Sequence, residues 1–105
     1  MSADCSHLDQ VRVTRLPESV EGCEECLRDG TKWVHLRLCL TCGHVGCCDD
    51  SPERHATAHY AESGHPLIRS IEPGETWSWC YPDGEALTIG GIEGETRIPP
   101  SPLLS

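Results

Sequence analysis

The cysteines and histidines constrain this chain more than any other feature. Eight Cys and six His are spread over 105 residues, and four of the Cys form two C-x-x-C pairs, Cys23/Cys26 and Cys39/Cys42. Two thiolates on a tight turn can grip one ion without strain, whereas such close spacing does not suit an ordinary structural disulfide. Further donors punctuate the chain: Cys5-x-His7, Cys47 and Cys48, His55, His59, His65, and Cys80-x-x-Asp83. Tetrahedral zinc takes about four such ligands, so these donors supply about three ions. His35, in a strand, and His44, in a turn, have no ligand spacing and are set aside. The opening residues Met1 to Asp4 hold neither the basic nor the apolar stretch of a secretory signal. Zinc in a reducing, cytoplasmic setting is therefore expected in place of a disulfide scaffold.

The apolar content points the same way. The chain has no Phe, one Met and three Trp, and 37% of it is hydrophobic. A core this poor does not readily offset chain entropy at this length, so coordinate bonds should supplement it. The formal net charge of −9 opposes nucleic-acid phosphates and anionic membrane surfaces. No run approaches the ~20 apolar residues of a membrane span. A monomer with a protein or peptide partner is the expectation.

Patterning predicts a small α+β zinc-stabilised domain, a short twisted antiparallel sheet with one main helix. Val11, Val13 and Leu16 alternate as a short strand, and Trp33 to Leu40 alternates best, with Val34, Leu36, Leu38 and Leu40 on one face. Gly43 to Cys48 forms a knuckle. Ser51-Pro52 supplies an N-cap and a first helical residue, and Gly64 a terminator, so a helix should fill the interval with His55 and His59 on one face. Pro66 to Ile71 and Trp77 to Tyr81 read as strands joined by a turn at Pro73-Gly74. Trp77, Trp79 and Tyr81 share one face, with Cys80 on the other. Pro82-Asp83-Gly84 turns the chain, and Leu87 to Ile92 is a weak strand broken by Gly90-Gly91. The organisation expected is a zinc domain over 1–84 and, over 85–105, an extension with a Pro/Ser-rich tail of disordered composition.

The run Cys39-Leu40-Thr41-Cys42-Gly43-His44-Val45-Gly46-Cys47, followed by His55, His59, Ser63-Gly64-His65-Pro66 and Trp79-Cys80-Tyr81, resembles the UBP-type zinc finger. This is the ubiquitin-binding finger of ubiquitin-specific proteases and of one histone deacetylase, here similar to a stand-alone, bacterial-like form. The resemblance spans about residues 5–83 and implies interleaved sites. Cys5 and His7 would join Cys80 and Asp83; Cys23 and Cys26 would join Cys47 and His55; Cys39 and Cys42 would join His59 and His65. Asp83 stands where the family has Cys, and Asp is a legitimate zinc ligand. One extra residue lies between Cys42 and His55. Cys47 keeps the family interval from Cys42 and Cys48 keeps the interval to His55; Cys47 is favoured, with a bulge before the helix.

The family pocket holds a free C-terminal Gly-Gly tail between aromatic side chains, with an Arg after the knuckle cysteine pairing with the carboxylate. Trp33, Trp79 and Tyr81 match the aromatic positions, and Trp77 is assigned to packing. The Arg position falls on Asp49 or Asp50, whose carboxylates would repel a carboxylate. The expected function is a non-catalytic module that binds a peptide or protein through an aromatic groove. An amine-bearing tail or a basic peptide suits that groove better than ubiquitin's tail. Two alternatives are a zinc hydrolase, with an open Cys5/His7/Cys80 site if Asp83 stays off the metal, and a zinc or redox sensor using the spare cysteine.

Overall fold

A computed structural model describes residues 10–99. Its elements, in chain order, are α1 (Glu24–Asp29), β1 (Leu36–Cys39), β2 (Val45–Cys47), α2 (His55–Ser63), β3 (Leu67–Ser70), β4 (Ser78–Cys80) and β5 (Glu85–Leu87). The strands form one antiparallel sheet in the order β2-β1-β3-β4-β5. The chain is thus a small α+β domain with one main helix, as its patterning predicts.

Register assigns the two faces of the sheet. Leu38 pairs with Arg69, Arg69 with Ser78, and Ser78 with Leu87, so these share a face with Leu36, Leu67 and Cys80. Residues 10–33 and 92–98 supply the cover for this face: Leu16, Cys23, Cys26 and Trp33 join Leu36, Leu38, Leu40 and Leu67 in the core, flanked by half-buried Ile92 and Ile98. Fully burying each leucine contributes about 1.5–3 kcal/mol. The opposite face carries Arg37, Gly46, Ile68 and Trp79 and receives α2, which packs on β1 and β2.

Several boundaries differ from those expected, each for a local reason. Residues 11–16 form no strand of the sheet. They run beside the chain's last described segment, where Arg15 bridges Glu93 and Ser19 bridges Arg97. The strand expected over 33–40 is only Leu36–Cys39. Its approach is held by side chains instead, because the Ser51 hydroxyl accepts from Val34 N–H at 2.8 Å and the Glu72 carboxylate from Leu36 N–H at 2.9 Å. Ser51 is therefore occupied and does not cap α2. The helix starts at His55, after Arg54 in a left-handed conformation (φ 47°), and ends as expected at Gly64 (φ 75°). The weak strand expected over 87–92 lies earlier, at Glu85–Leu87, so the sheet continues past residue 84. Helix α1 has no counterpart in the sequence pattern, because six residues are too few to show a helical period.

Candidate metal centres and the adjoining groove

Two sets of four donors converge, and each mixes thiolate with imidazole. Cys23, Cys26, Cys47 and His55 form one, and Cys39, Cys42, His59 and His65 the other, with all donor atoms within 4.8 Å of one another in each set. Bond lengths of about 2.3 Å to sulfur and 2.05 Å to nitrogen give a tetrahedron with edges near 3.8 Å (S–S), 3.5 Å (S–N) and 3.3 Å (N–N). The first set has Cys26 Sγ 3.9 Å from Cys47 Sγ, and His55 Nδ1 at 3.2, 3.4 and 3.6 Å from Cys23, Cys26 and Cys47. In the second, Cys39 Sγ is 3.5 Å from His65 Nδ1, Cys42 Sγ is 3.3 Å from His59 Nε2, and the two imidazole nitrogens are 3.3 Å apart. Both donor sets fit zinc in composition and in size.

Local structure explains how donors distant in sequence meet. Cys23 precedes α1 and its sulfur accepts from Cys26 N–H, so both thiols lie on one turn. Cys47 ends β2 and His55 opens α2. The close approach of helix to strand depends on Gly46, where an added Cβ would lie 2.7 Å from the Ala56 nitrogen. His59 follows one turn along α2, and the Gly64 cap returns the chain so that His65 faces Cys39. One helix therefore carries a donor for each cluster. His44, which has no ligand spacing, stacks on His59 with ring centroids 4.1 Å apart and bonds Glu25 through Nε2 at 2.6 Å. Glu25 sits between Cys23 and Cys26, so this contact ties the two clusters together.

Electrostatics divide the thiols of the first cluster. The hydrogen bond from Cys23, reinforced by the His55 backbone N–H, outweighs desolvation and draws the Cys47 thiol down to about 5. The same Cys47 contact, with burial, pushes Cys23 up, and burial pushes up Cys26 and Cys39. Desolvation, then His44, holds His59 below its usual range, in the neutral form a metal requires. Burial alone would raise Glu25, but its hydrogen bond with His44 prevails and lowers it.

Beside the first cluster, on the α2 face of the sheet, lies a groove of about 260 Å³. Trp77, Trp79, Tyr81 and Ile68 provide apolar surface, and Arg37, Asp49 and Asp50 provide charge. Tyr81 stacks on Tyr60 at 4.5 Å, and Arg37 lies 4.5 Å over the Trp77 ring. Asp49 is fixed by Thr57, whose hydroxyl donates to it at 2.5 Å and lies 3.2 Å from the Tyr81 hydroxyl.

The family described as Zn-finger in ubiquitin-hydrolases and other protein matches residues 23–89, a span that holds both donor clusters and the groove. The chain belongs to this family. This UBP-type zinc finger is 44% identical over 62 residues to mouse ubiquitin carboxyl-terminal hydrolase 16, a match covering 55% of the chain and 7% of that protein. It is 32% identical over 98 residues to ubiquitin carboxyl-terminal hydrolase 44 of Ailuropoda melanoleuca, covering 90% of the chain and 13% of that protein. The finger thus corresponds to a small part of these curated relatives. The solution NMR structure of protein RPA1320 from Rhodopseudomonas palustris is similar at TM-score 0.76 and 46% identity, covering 97% of both chains.

The finger's remaining expected site residues are distributed as follows. Cys80 Sγ lies 3.5 Å from Asp83 Oδ2, a separation compatible with two donors on one ion. Cys5 and His7, expected to join them, lie outside the described residues. Cys47, not Cys48, enters the first cluster; the Cys48 sulfur is 3.5 Å from the Ser51 hydroxyl. Trp33 requires correction as a groove wall. It is 7% exposed in the core, packed so closely on Gly22 that an added Cβ there would lie 2.3 Å from the ring. Trp77, assigned to packing, lines the groove instead, and Arg37 joins it.

Proposed function

We propose that this zinc finger is a non-catalytic peptide-binding module whose groove receives an extended peptide bearing a positive charge. The supporting observation is the groove's make-up: aromatic walls at Trp77, Trp79 and Tyr81 beside the carboxylates of Asp49 and Asp50, with Asp49 held by Thr57. Aromatic faces and carboxylates both attract a cation. Arg37 is the groove's cationic lining residue, and it already stacks on Trp77. A free carboxylate such as ubiquitin's C terminus would meet two like charges, which opposes its docking.

The same reading gives the finger a third ion, held by Cys5, His7, Cys80 and Asp83. The Cys80–Asp83 separation favours a closed structural site over an open hydrolytic one. Thiolates committed to metal suit a reducing compartment, so the cytoplasm is the proposed location.

Isothermal titration of the zinc-loaded protein tests the groove. Ubiquitin with a free tail is expected to show no saturable binding at micromolar concentration, a lysine-rich peptide is expected to bind, and Asp49→Arg should reverse that order. Tight binding of ubiquitin by the unaltered protein would overturn the charge argument and assign the clamp to Arg37.

A further inference from the structure

A second cavity lies on the opposite side of the sheet, lined by none of the cluster donors, and does not depend on the groove reading. It encloses about 550 Å³ between the β3–β4 turn and residues 92–98. That volume is within the range of small-molecule sites. Leu16, Ile71, Ile92 and Ile98 give it an apolar lining.

Arg69 distinguishes this cavity from an ordinary gap in packing. It lines the space, yet the residue is only 8% exposed. The one side-chain hydrogen bond it makes among the described residues is from Nη1 to the Ser70 carbonyl at 2.9 Å. Among those residues it forms no ion pair with a carboxylate. The nearby acids are engaged elsewhere: Glu72 accepts from Leu36 N–H and Glu75 from the Ser70 hydroxyl. A buried guanidinium without a counter-charge is costly unless an anion joins it. Thr96 supplies a second, independent observation. It also lines the cavity, is 8% exposed, and its buried hydroxyl has no hydrogen-bond partner. Buried polar atoms are normally satisfied, so an orphan hydroxyl and an uncompensated guanidinium in the lining of one cavity mark a place for an acceptor.

We infer that this cavity binds a small organic carboxylate, with the carboxylate on Arg69 and Thr96 and an apolar body against Ile71, Ile92 and Ile98. An arginine fork matches a carboxylate in geometry as well as charge. Arg97 adds a second positive charge at the lining, while Glu72, Glu75 and Glu95 surround the site with negative charge. These carboxylates weigh against phosphate or another polyanion, and leave Arg69 as the charge that would hold a single carboxylate.

The test is an amide NMR titration of the zinc-loaded full chain with octanoate, octanamide and inorganic phosphate. Octanoate should produce saturable shifts at Ile71, Thr96 and Ile98. Octanamide, with the same body and no charge, should bind about ten- to a hundredfold more weakly, and phosphate should not saturate. Arg69→Met should abolish the octanoate response. If that variant does not fold, Thr96→Val decides the matter, because loss of the hydroxyl should weaken octanoate severalfold and leave octanamide unchanged. Equal binding of octanoate and octanamide, no saturation below ~5 mM, shifts centred on Trp79 and Tyr81, or unaltered affinity in folded variants would each overturn the assignment.

Discussion

Cys47 and Cys48 are adjacent and both buried, yet the Cys47 sulfur approaches His55 while the Cys48 sulfur lies against the Ser51 hydroxyl. The two should respond differently to truncation, and Cys39 offers the contrast with a donor in the other cluster. Cys39→Ser removes a thiolate from the set completed by Cys42, His59 and His65, and should lower the zinc content by about one ion per chain. Cys48→Ser should keep the full zinc content and cost about 1–2 kcal/mol in chemical denaturation. Equal zinc loss from both would assign Cys48 to a metal. His44 belongs at this scale too. Groups that support a ligand without binding metal typically affect metal affinity about 10–100-fold, so His44→Ala should weaken zinc by that order in a competition titration with a chromogenic chelator. An unchanged affinity would make its stacking on His59 incidental.

Among the elements, what the sequence revealed depended on length and period. β3 was legible from the turn at Pro73-Gly74 that bounds it, β4 from the alternation of Trp77, Trp79 and Tyr81 with Cys80, and α2 because Gly64 and the His55–His59 interval mark its end and one face. α1 was hidden by its brevity, and the true start of α2 by Ser51, which has the chemistry of a cap but bonds Val34 across the fold. The donor sets followed from resemblance; spacing alone leaves open which pair joins which histidine. His44 and Arg69 had no signal, since their importance comes from neighbours brought together only by folding. Gly46 is similarly silent in sequence and decisive in packing. Gly46→Ala would push Ala56 and the start of α2 away from β2, costing about 1–3 kcal/mol. Because α2 bears His55 and His59, this change should weaken zinc at both clusters, as measured by zinc competition and thermal melting. Loss confined to the Cys47 cluster would mean that α2 bends and does not move as a unit.

For the whole molecule, the donors link segments that the modest core joins only weakly. Chelation should therefore collapse the amide NMR dispersion across the sheet, and a chelated sample retaining its native spectrum would refute a structural role for the metal. The shared helix has a consequence for how the ions arrive. Ordering α2 to complete either cluster positions its histidine for the other, so the first ion bears most of the ordering entropy and the next binds to a partly prepared site. At limiting zinc, native mass spectrometry of a Cys80→Ser chain, which leaves only the two clusters that share α2, should find chains with neither or both ions and few with one, whereas abundant singly loaded chains would show independent filling. A chain that fills in this manner converts a gradual change in available zinc into a steep change in the number of working grooves.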